Sequence, residues 1–289
     1  MINNKSMLDK FKLDSLVATN FKKVKLWLLI PPFLILFLFF LYFSFYDGLT
    51  FVDHYVESQK QLFYFLNGKL AVYPNLQLNL THLGDALILY PLIIVFLFYA
   101  SKLWEVVLTS SIMTLIISAT LKKIFAVPRP AAMFDVESFE IVGRTLTGAT
   151  ALPSGHSMTA FMVISALLFA FMPKRNTNKL LWSVFILAIG IIIALSRVGV
   201  GAHYPGDVLI GCVIGFIVAI VGIVINSNLS WLNWIKNKRF YPIFMVVLII
   251  WSCLIVTKII GQNLPVFYLS LFSLVGTLYL ITNAYIKKN

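Results

Sequence analysis

Three short polar stretches in an otherwise apolar chain carry the residue types that chemistry on a phosphate group requires. They are "KKIFAVPRP", "ALPSGHSMTA" and "SRVGVGAHYPGD". Their reactive residues are Lys122, Arg129, Ser154, His156, Arg197, His203 and Asp207. Charge near lipid is costly. A segment that only joined two helices would not need these residues, so the sequence predicts a functional site.

The pair formed by His203 and Asp207 is the candidate for catalysis. The two residues are four positions apart, which is about one helical turn. A carboxylate at that distance can hold one imidazole nitrogen and make the other a better nucleophile or base. The structural alternative is an aspartate that complements a helix dipole. That alternative explains Asp207 and leaves His203 unexplained.

The remaining polar residues are suited to hold a phosphate. Arginine binds phosphate oxygens in pairs and lysine adds a point charge. A helix that starts at Ser154 or Ser157 offers free N–H groups to an anion. Each stretch alone also fits a structural role, such as snorkelling lysines, a turn or a helix cap. Together they predict a phosphoryl-transfer site without metal or cofactor, because no carboxylate cluster or zinc-ligand spacing accompanies them.

Hydrophobic helices must position these stretches. The mean hydropathy is +0.91 and 12% of the 289 residues are charged, which indicates an all-α polytopic membrane protein. Runs of about 20 apolar residues can cross a bilayer. The predicted spans are 26–46, 83–101, 104–121, 157–173, 180–196, 207–226, 241–259 and 265–285. Gly211 and Gly215 in the sixth span indicate close helix packing.

The distribution of basic residues predicts the orientation. Residues 1–25 form a basic arm with six lysines. With this arm inside, both termini are cytoplasmic and fifteen of the 23 basic residues lie inside. The basic residues on the outer side are Lys60, Lys69, Lys122, Lys123, Arg129, Arg144, Arg197 and Lys258. All three polar stretches then share the outer face. Since the basic residues flank spans, they indicate contact with anionic lipids and not with nucleic acid, and no obligate protein partner is evident.

The three stretches resemble the signature of the type 2 phosphatidic acid phosphatases. The signature is Lys, six residues, Arg-Pro; then Pro-Ser-Gly-His; then Ser-Arg, five residues, His, three residues, Asp. All of its fixed positions are present in order, from Lys122 to Asp207. The resemblance implies a six-span phosphatase core over residues 26–226. The two spans in 227–289 lie beyond it.

The resemblance also implies a role for each residue. His203 is the nucleophile that becomes a phosphohistidine, and Asp207 holds its other nitrogen. His156 is the general acid for the leaving group. The phosphate-binding residues are Lys122, Arg129, Ser154, Gly155 and Arg197.

These residues together predict a lipid phosphate phosphatase with its site at the outer membrane face. Substrates that fit are phosphatidylglycerophosphate, phosphatidic acid, undecaprenyl diphosphate and lipid A phosphates. The alternatives are a lipid phosphotransferase with the same site and, from another class, an anion or lipid transporter. The lysine- and isoleucine-rich composition points to a bacterial inner membrane. The loop 47–82 lies along the outer membrane surface or is an ordinary connector.

Overall fold

The computed structural model describes residues 13–44 and 50–286. These residues form helices and connecting segments, and no strand occurs among them. The helices are α1 (Ile30–Ser44), α2 (Phe51–Leu70), α3 (Pro74–His82), α4 (Ala86–Ile93), α5 (Phe96–Tyr99), α6 (Ser101–Phe125), α7 (Pro130–Met133), α8 (Gly155–Ala170), α9 (Asn176–Gly199), α10 (Pro205–Asn226), α11 (Tyr241–Gly261) and α12 (Pro265–Ile286). Short 3₁₀ helices cover Leu26–Leu29, Asn233–Lys236 and Lys238–Phe240.

Six of the described segments are long and apolar enough to cross a membrane. They are Leu26–Ser44, Ser101–Met133, Asn176–Gly199, Pro205–Asn226, Lys238–Gly261 and Pro265–Ile286. The prediction of an all-α polytopic membrane protein is confirmed. Residues 1–12 of the predicted basic arm and residues 45–46 of the first predicted span lie outside the described part of the chain.

The second predicted span, 83–101, is not one continuous helix. It is divided into α4 and α5, with a turn at 94–95. Pro91 lies inside α4 and has no N–H to donate to the carbonyl of Leu87, four residues earlier. Trp251 Nε1 of α11 donates to that carbonyl instead, at 2.9 Å. Ser273 Oγ of α12 donates to the carbonyl of Pro91 at 2.7 Å. The N–H of Ile94 also donates to the carbonyl of Pro91, at 3.1 Å, so only the hydrogen bond from Trp251 replaces one that Pro91 removes.

The centre of the bundle is formed by α8 and α10, which pack on each other more extensively than any other described helix pair. A methyl group added at Gly211 would lie 2.7 Å from the carbonyl oxygen of Ser154, and one at Gly215 would lie 2.5 Å from that of Met158. The prediction of close packing at both glycines is therefore confirmed. Helix α6 packs against both central helices and α9 against α8.

The segment 50–82 is helical and packed, unlike a simple connector. Thr50 is the N-cap of α2, and its hydroxyl accepts a hydrogen bond from the N–H of Asp53. Helix α2 buries one face, and both α2 and α3 pack against α9. They lie at the end of the bundle where α6 and α9 finish and α8 and α10 begin, which we call the motif end.

Candidate active site

The third motif joins the end of α9 to the start of α10. Gly201 has a φ of +75°, a left-handed conformation that side chains disfavour. A methyl group there would also lie 2.6 Å from the carbonyl oxygen of Glu140. The chain then turns through Tyr204 into α10, where Pro205 occupies the first helical turn. This tight turn places His203 immediately before the helix that carries Asp207.

His203 and Asp207 are in hydrogen-bond contact and almost completely buried. Nδ1 of His203 lies 3.2 Å from Oδ2 of Asp207. The same carboxylate oxygen accepts a hydrogen bond from the N–H of Tyr204 at 2.9 Å. The exposed fractions of His203 and Asp207 are 1% and 0%. The aspartate therefore fixes the imidazole and caps α10 with the same carboxylate.

Arg129 lies on the other side of the imidazole. Its Nη1 is 3.3 Å from Nε2 of His203 and donates to the carbonyl of Ala202 at 3.1 Å. A guanidinium can only donate, whereas an ionised carboxylate can only accept. The two contacts therefore select the tautomer of His203 with the proton on Nδ1. Nε2 keeps its lone pair and points toward a cation.

The second motif forms the start of α8. Ser154 is its N-cap and is fully buried. Its hydroxyl oxygen accepts hydrogen bonds from the N–H and the hydroxyl of Ser157, at 3.4 and 2.9 Å. Its own N–H donates to the carbonyl of Asp207 at 3.0 Å. The N-terminus of α8 is thereby tied to the first turn of α10.

Gly155 and His156 follow the cap and form the first turn of α8. A methyl group on Gly155 would lie 3.6 Å from both Lys122 Nζ and Ser118 Oγ of α6. The lysine ammonium is thus beside the N-terminal turn of α8. His156 is half-buried, and a methyl group on Gly84 would lie 2.8 Å from its Cβ. The segment between α3 and α4 therefore covers the backbone of His156.

Arg197 projects from the last turn of α9 and is buried, with 6% exposed. Its Nη1 donates a hydrogen bond to the hydroxyl of Thr81 in α3. Its Nε has no hydrogen-bond partner among the described residues. A buried guanidinium with a free donor is equipped to bind an anion.

The electrostatics of His203 show that the three motifs share one site. Burial lowers the pKa of His203 well below its ordinary value, and the electrostatic effect of Arg197, Arg129, Lys122 and His156 lowers it further. The imidazole is therefore neutral at physiological pH. Groups from α6, α8, α9 and the segment after α6 all act on one ring, so the predicted site residues converge at the motif end.

Several residues near the site were not predicted. Tyr55 donates to Oδ1 of Asp207 at 2.7 Å, Gln59 accepts from the N–H of Gly206, and Thr81 accepts from Arg197. The signal that could have found the first two is the spacing of Tyr55 and Gln59, which puts them on one helix face.

In the described part of the chain, no metal-binding cluster accompanies these residues. No group of three or more His, Cys, Asp or Glu side chains that could hold a metal ion occurs within residues 13–44 and 50–286. The polar groups that converge on His203 are cations and N–H donors, which are suited to an anion.

The chain is similar in sequence to two known phosphatases. The chain is 28% identical over 153 residues to lipid A 1-phosphatase of Rhizobium etli, covering 50% of this chain and 62% of that protein. It is 28% identical over 149 residues to phosphatidylglycerophosphatase B of Bacillus subtilis, covering 48% of this chain and 68% of that protein. The match therefore spans less than two thirds of the Rhizobium protein.

A solved structure, LpxE of Aquifex aeolicus, aligns with a TM-score of 0.48 and 22% identity, covering 57% of this chain and 94% of that chain. Residues 103–231 match the PAP2 superfamily, and this region contains all three motifs. The chain is therefore similar to the PAP2 superfamily over residues 103–231, and its three motifs resemble those of the type 2 phosphatidic acid phosphatases.

Proposed function

We propose that this protein is a phosphatase that hydrolyses a phosphate ester or diphosphate on a membrane lipid through a phosphohistidine. The observation that carries the proposal is the environment of one imidazole. His203 is held by Asp207 through Nδ1 at 3.2 Å and faces Arg129 with Nε2 at 3.3 Å. This arrangement supports a neutral nucleophile directed at a negatively charged group.

In the first step Nε2 of His203 forms a bond to phosphorus while the bond from phosphorus to the leaving oxygen breaks. His156 gives its proton to that oxygen, so that an alcohol or a phosphate departs. The proton on Nδ1 of His203 stays hydrogen-bonded to Asp207, which stabilises the positive charge that develops on the ring. The product is phosphohistidine.

In the second step water attacks phosphorus on the side that the leaving group vacated. His156 now accepts a proton from the water, and the bond between phosphorus and Nε2 breaks. Inorganic phosphate leaves, and His203 returns to its neutral form. The two histidines thus serve both steps without a net change in protonation.

The phosphate oxygens are bound by cations and N–H groups in this proposal. Lys122, Arg129 and Arg197 neutralise the charge, and the N–H of Gly155 donates at the start of α8. Ser154 accepts two hydrogen bonds through its oxygen, so its own hydroxyl proton is the part left to donate. Phosphoryl transfer depends mainly on such positioning and charge stabilisation.

A lipid substrate is supported by the position of the site. Lys122, Arg197 and Asp207 lie within one turn of the ends of long apolar helices, where a phosphate at the membrane surface is within reach. Both curated relatives are named as lipid phosphatases. Charge distribution supports an outward-facing site with both termini in the cytoplasm.

The test is phosphate release by the detergent-purified protein from a panel of lipids in the presence of a chelator. The panel contains phosphatidylglycerophosphate, phosphatidic acid, undecaprenyl diphosphate and lipid A 1-phosphate. We expect release from at least one lipid, and we expect His203→Ala to abolish it. Glu57→Gln is the control because the Glu57 side chain is 68% exposed and its only described ion-pair partner is Lys60. A strict magnesium requirement, or full activity in His203→Ala, refutes the mechanism.

The same preparation separates the two competing functions. A phosphotransferase would pass the phosphoryl group to an added lipid and release little inorganic phosphate. A transporter would move the lipid or anion across a vesicle membrane with the phosphate ester intact. The position of the cations at helix ends, and not at the middle of spans, favours the enzyme.

A further inference from the structure

Helix α2 presents a regular stripe of buried side chains to the third motif. The stripe consists of Tyr55, Gln59, Phe63 and Asn67, spaced four residues apart. Side chains at this spacing lie above one another on the same helix face. Each of them contacts the segment 198–207, which carries His203 and Asp207.

The contacts follow the motif along its length. Asn67 Nδ2 donates to the carbonyl of Val198 at 3.0 Å. The ring of Phe63 packs edge-on to that of Tyr204, with centroids 5.8 Å apart. Gln59 Oε1 accepts from the N–H of Gly206 at 2.5 Å. The stripe therefore fixes the backbone on both sides of His203.

Tyr55 is the member of the stripe that reaches the catalytic carboxylate. Its hydroxyl donates to Oδ1 of Asp207 at 2.7 Å, and both residues are fully buried. Burial and the charge of Asp207 raise the pKa of Tyr55 well above its ordinary value, so the hydroxyl keeps its proton. Oδ2 of Asp207 is occupied by His203 and by the N–H of Tyr204. Both carboxylate oxygens are therefore held.

We propose that Tyr55 is a positioning residue that locks the Asp207 carboxylate in the orientation required to keep the proton of His203 on Nδ1. The inference rests on the proposed function of the same site. Without the hydroxyl, Oδ1 is a buried acceptor that has lost its partner, and the carboxylate is held only through Oδ2. His203 then spends less time in the tautomer whose Nε2 can attack.

This role predicts a particular kinetic effect. Tyr55 contacts Oδ1 of Asp207, whereas Nε2 of His203 faces Arg129. Its loss should slow formation of the phosphohistidine and leave substrate binding unchanged. The affinity for orthovanadate, which imitates the five-coordinate phosphorus, should fall with kcat, whereas inhibition by inorganic phosphate should not change.

The experiment compares Tyr55→Phe with Tyr64→Phe. Both substitutions remove one hydroxyl from α2, but Tyr64 is bonded to Ser138 Oγ in a loop, at 2.8 Å. The Tyr55 ring packs among those of Phe39, Phe43 and Phe51, and phenylalanine keeps these contacts. For Tyr55→Phe we expect kcat to fall about ten- to a hundredfold, with KM within about twofold of the unaltered protein. The inhibition constant for orthovanadate should rise by the same factor as kcat falls.

A double-mutant cycle shows whether Tyr55 acts through Asp207. Tyr55→Phe added to Asp207→Asn should not reduce the residual activity further, because the carboxylate it orients is already gone. Multiplicative losses would overturn the proposal. So would a kcat unchanged by Tyr55→Phe, or a lowered melting temperature as the only effect. If the unaltered protein releases no phosphate from any lipid, the proposed function is wrong. If the unaltered protein releases phosphate and Tyr55→Phe has the same kcat, only the inference about Tyr55 is wrong.

Discussion

Thr81 accepts a hydrogen bond from the guanidinium of Arg197, although the two residues are 116 positions apart in the chain. Helix α3, which carries Thr81, lies outside the three motifs. This contact therefore brings a fourth segment of the chain to the cations proposed to bind phosphate and fixes the orientation of Arg197.

Replacing Thr81 by valine should lower phosphatase activity. The substitution keeps the shape of the side chain and leaves Nη1 of Arg197 without its partner, at a cost of about 1–2 kcal/mol in transition-state stabilisation, or about tenfold in kcat/KM. Thr81→Ser retains the hydroxyl and should be nearly unchanged. Steady-state kinetics decide, and equal activity of the valine and serine variants contradicts this role.

Substitution of the two adjacent lysines at the end of α6 should have very different effects on activity. Lys122 Nζ lies beside Gly155 at the start of α8, whereas Lys123 is exposed. Lys122→Ala removes a cation from the phosphate site and should reduce kcat/KM about 10²–10³-fold, the cost of losing one charge-stabilising donor. Lys123→Ala should stay within about twofold. Similar losses in both variants would show that general surface charge, and not the site, is responsible.

The buried neutral His203 should make stability depend on pH. Above the ordinary histidine pKa of about 6.5, the ring is neutral in both the folded and the unfolded state. Below it, the unfolded chain binds a proton that the folded site refuses, because burial and the neighbouring cations lower the pKa of His203. The free energy of unfolding therefore decreases as the pH is lowered below about 6.5, by up to about 1.4 kcal/mol per pH unit.

This dependence is measured as the melting temperature between pH 7.5 and pH 5. His203→Asn removes the titrating ring, so its melting temperature should fall less steeply than that of the unaltered protein over the same range. Parallel curves would assign the acid sensitivity to other groups.

Trp251, which donates a hydrogen bond to the backbone beside Pro91, should contribute to stability. Trp251→Phe leaves the carbonyl of Leu87 without the donor that Pro91 cannot supply. A buried unsatisfied carbonyl costs about 1–3 kcal/mol. Trp27→Phe is the matched control because Trp27 is 63% exposed. Trp251→Phe should lower the melting temperature and speed hydrogen exchange in α4. Trp27→Phe should leave the melting temperature unchanged.

Because α8 packs closely on α10, alanine substitutions at two different glycines should have unequal effects on stability. Gly215→Ala would place a methyl group 2.5 Å from the carbonyl oxygen of Met158 and should destabilise the fold by about 1–3 kcal/mol. Activity should fall as well, since α8 carries His156. Gly276→Ala meets nothing within 4 Å and should be neutral or slightly stabilising. Thermal unfolding of the two variants in the same detergent provides the comparison.

The sequence was sufficient to predict the helices that end at the site. Lys122, His156, Arg197 and Asp207 could be assigned to one face because each lies at the end of an apolar run, and spans alternate in direction. His203 and Asp207 could be paired from their spacing. These inferences rest on local pattern, which the sequence carries directly.

Long-range partners could not be predicted in the same way. The spacing of Tyr55 and Gln59 is typical of one helix face, but it does not identify Asp207 and Gly206 as the partners. Pro91 indicates a weak point in the second span. Its consequence depends on Trp251 and Ser273, whose contacts arise only when distant helices pack together.

The break at Pro91 also bears on how the protein is made. Trp251 and Ser273, whose side chains donate to the carbonyls of Leu87 and Pro91, lie 164 and 182 positions further along the chain. Backbone groups without partners are unfavourable in lipid. The carbonyl of Leu87 therefore gains its donor only once α11, which carries Trp251, has been synthesised and packed against the second predicted span.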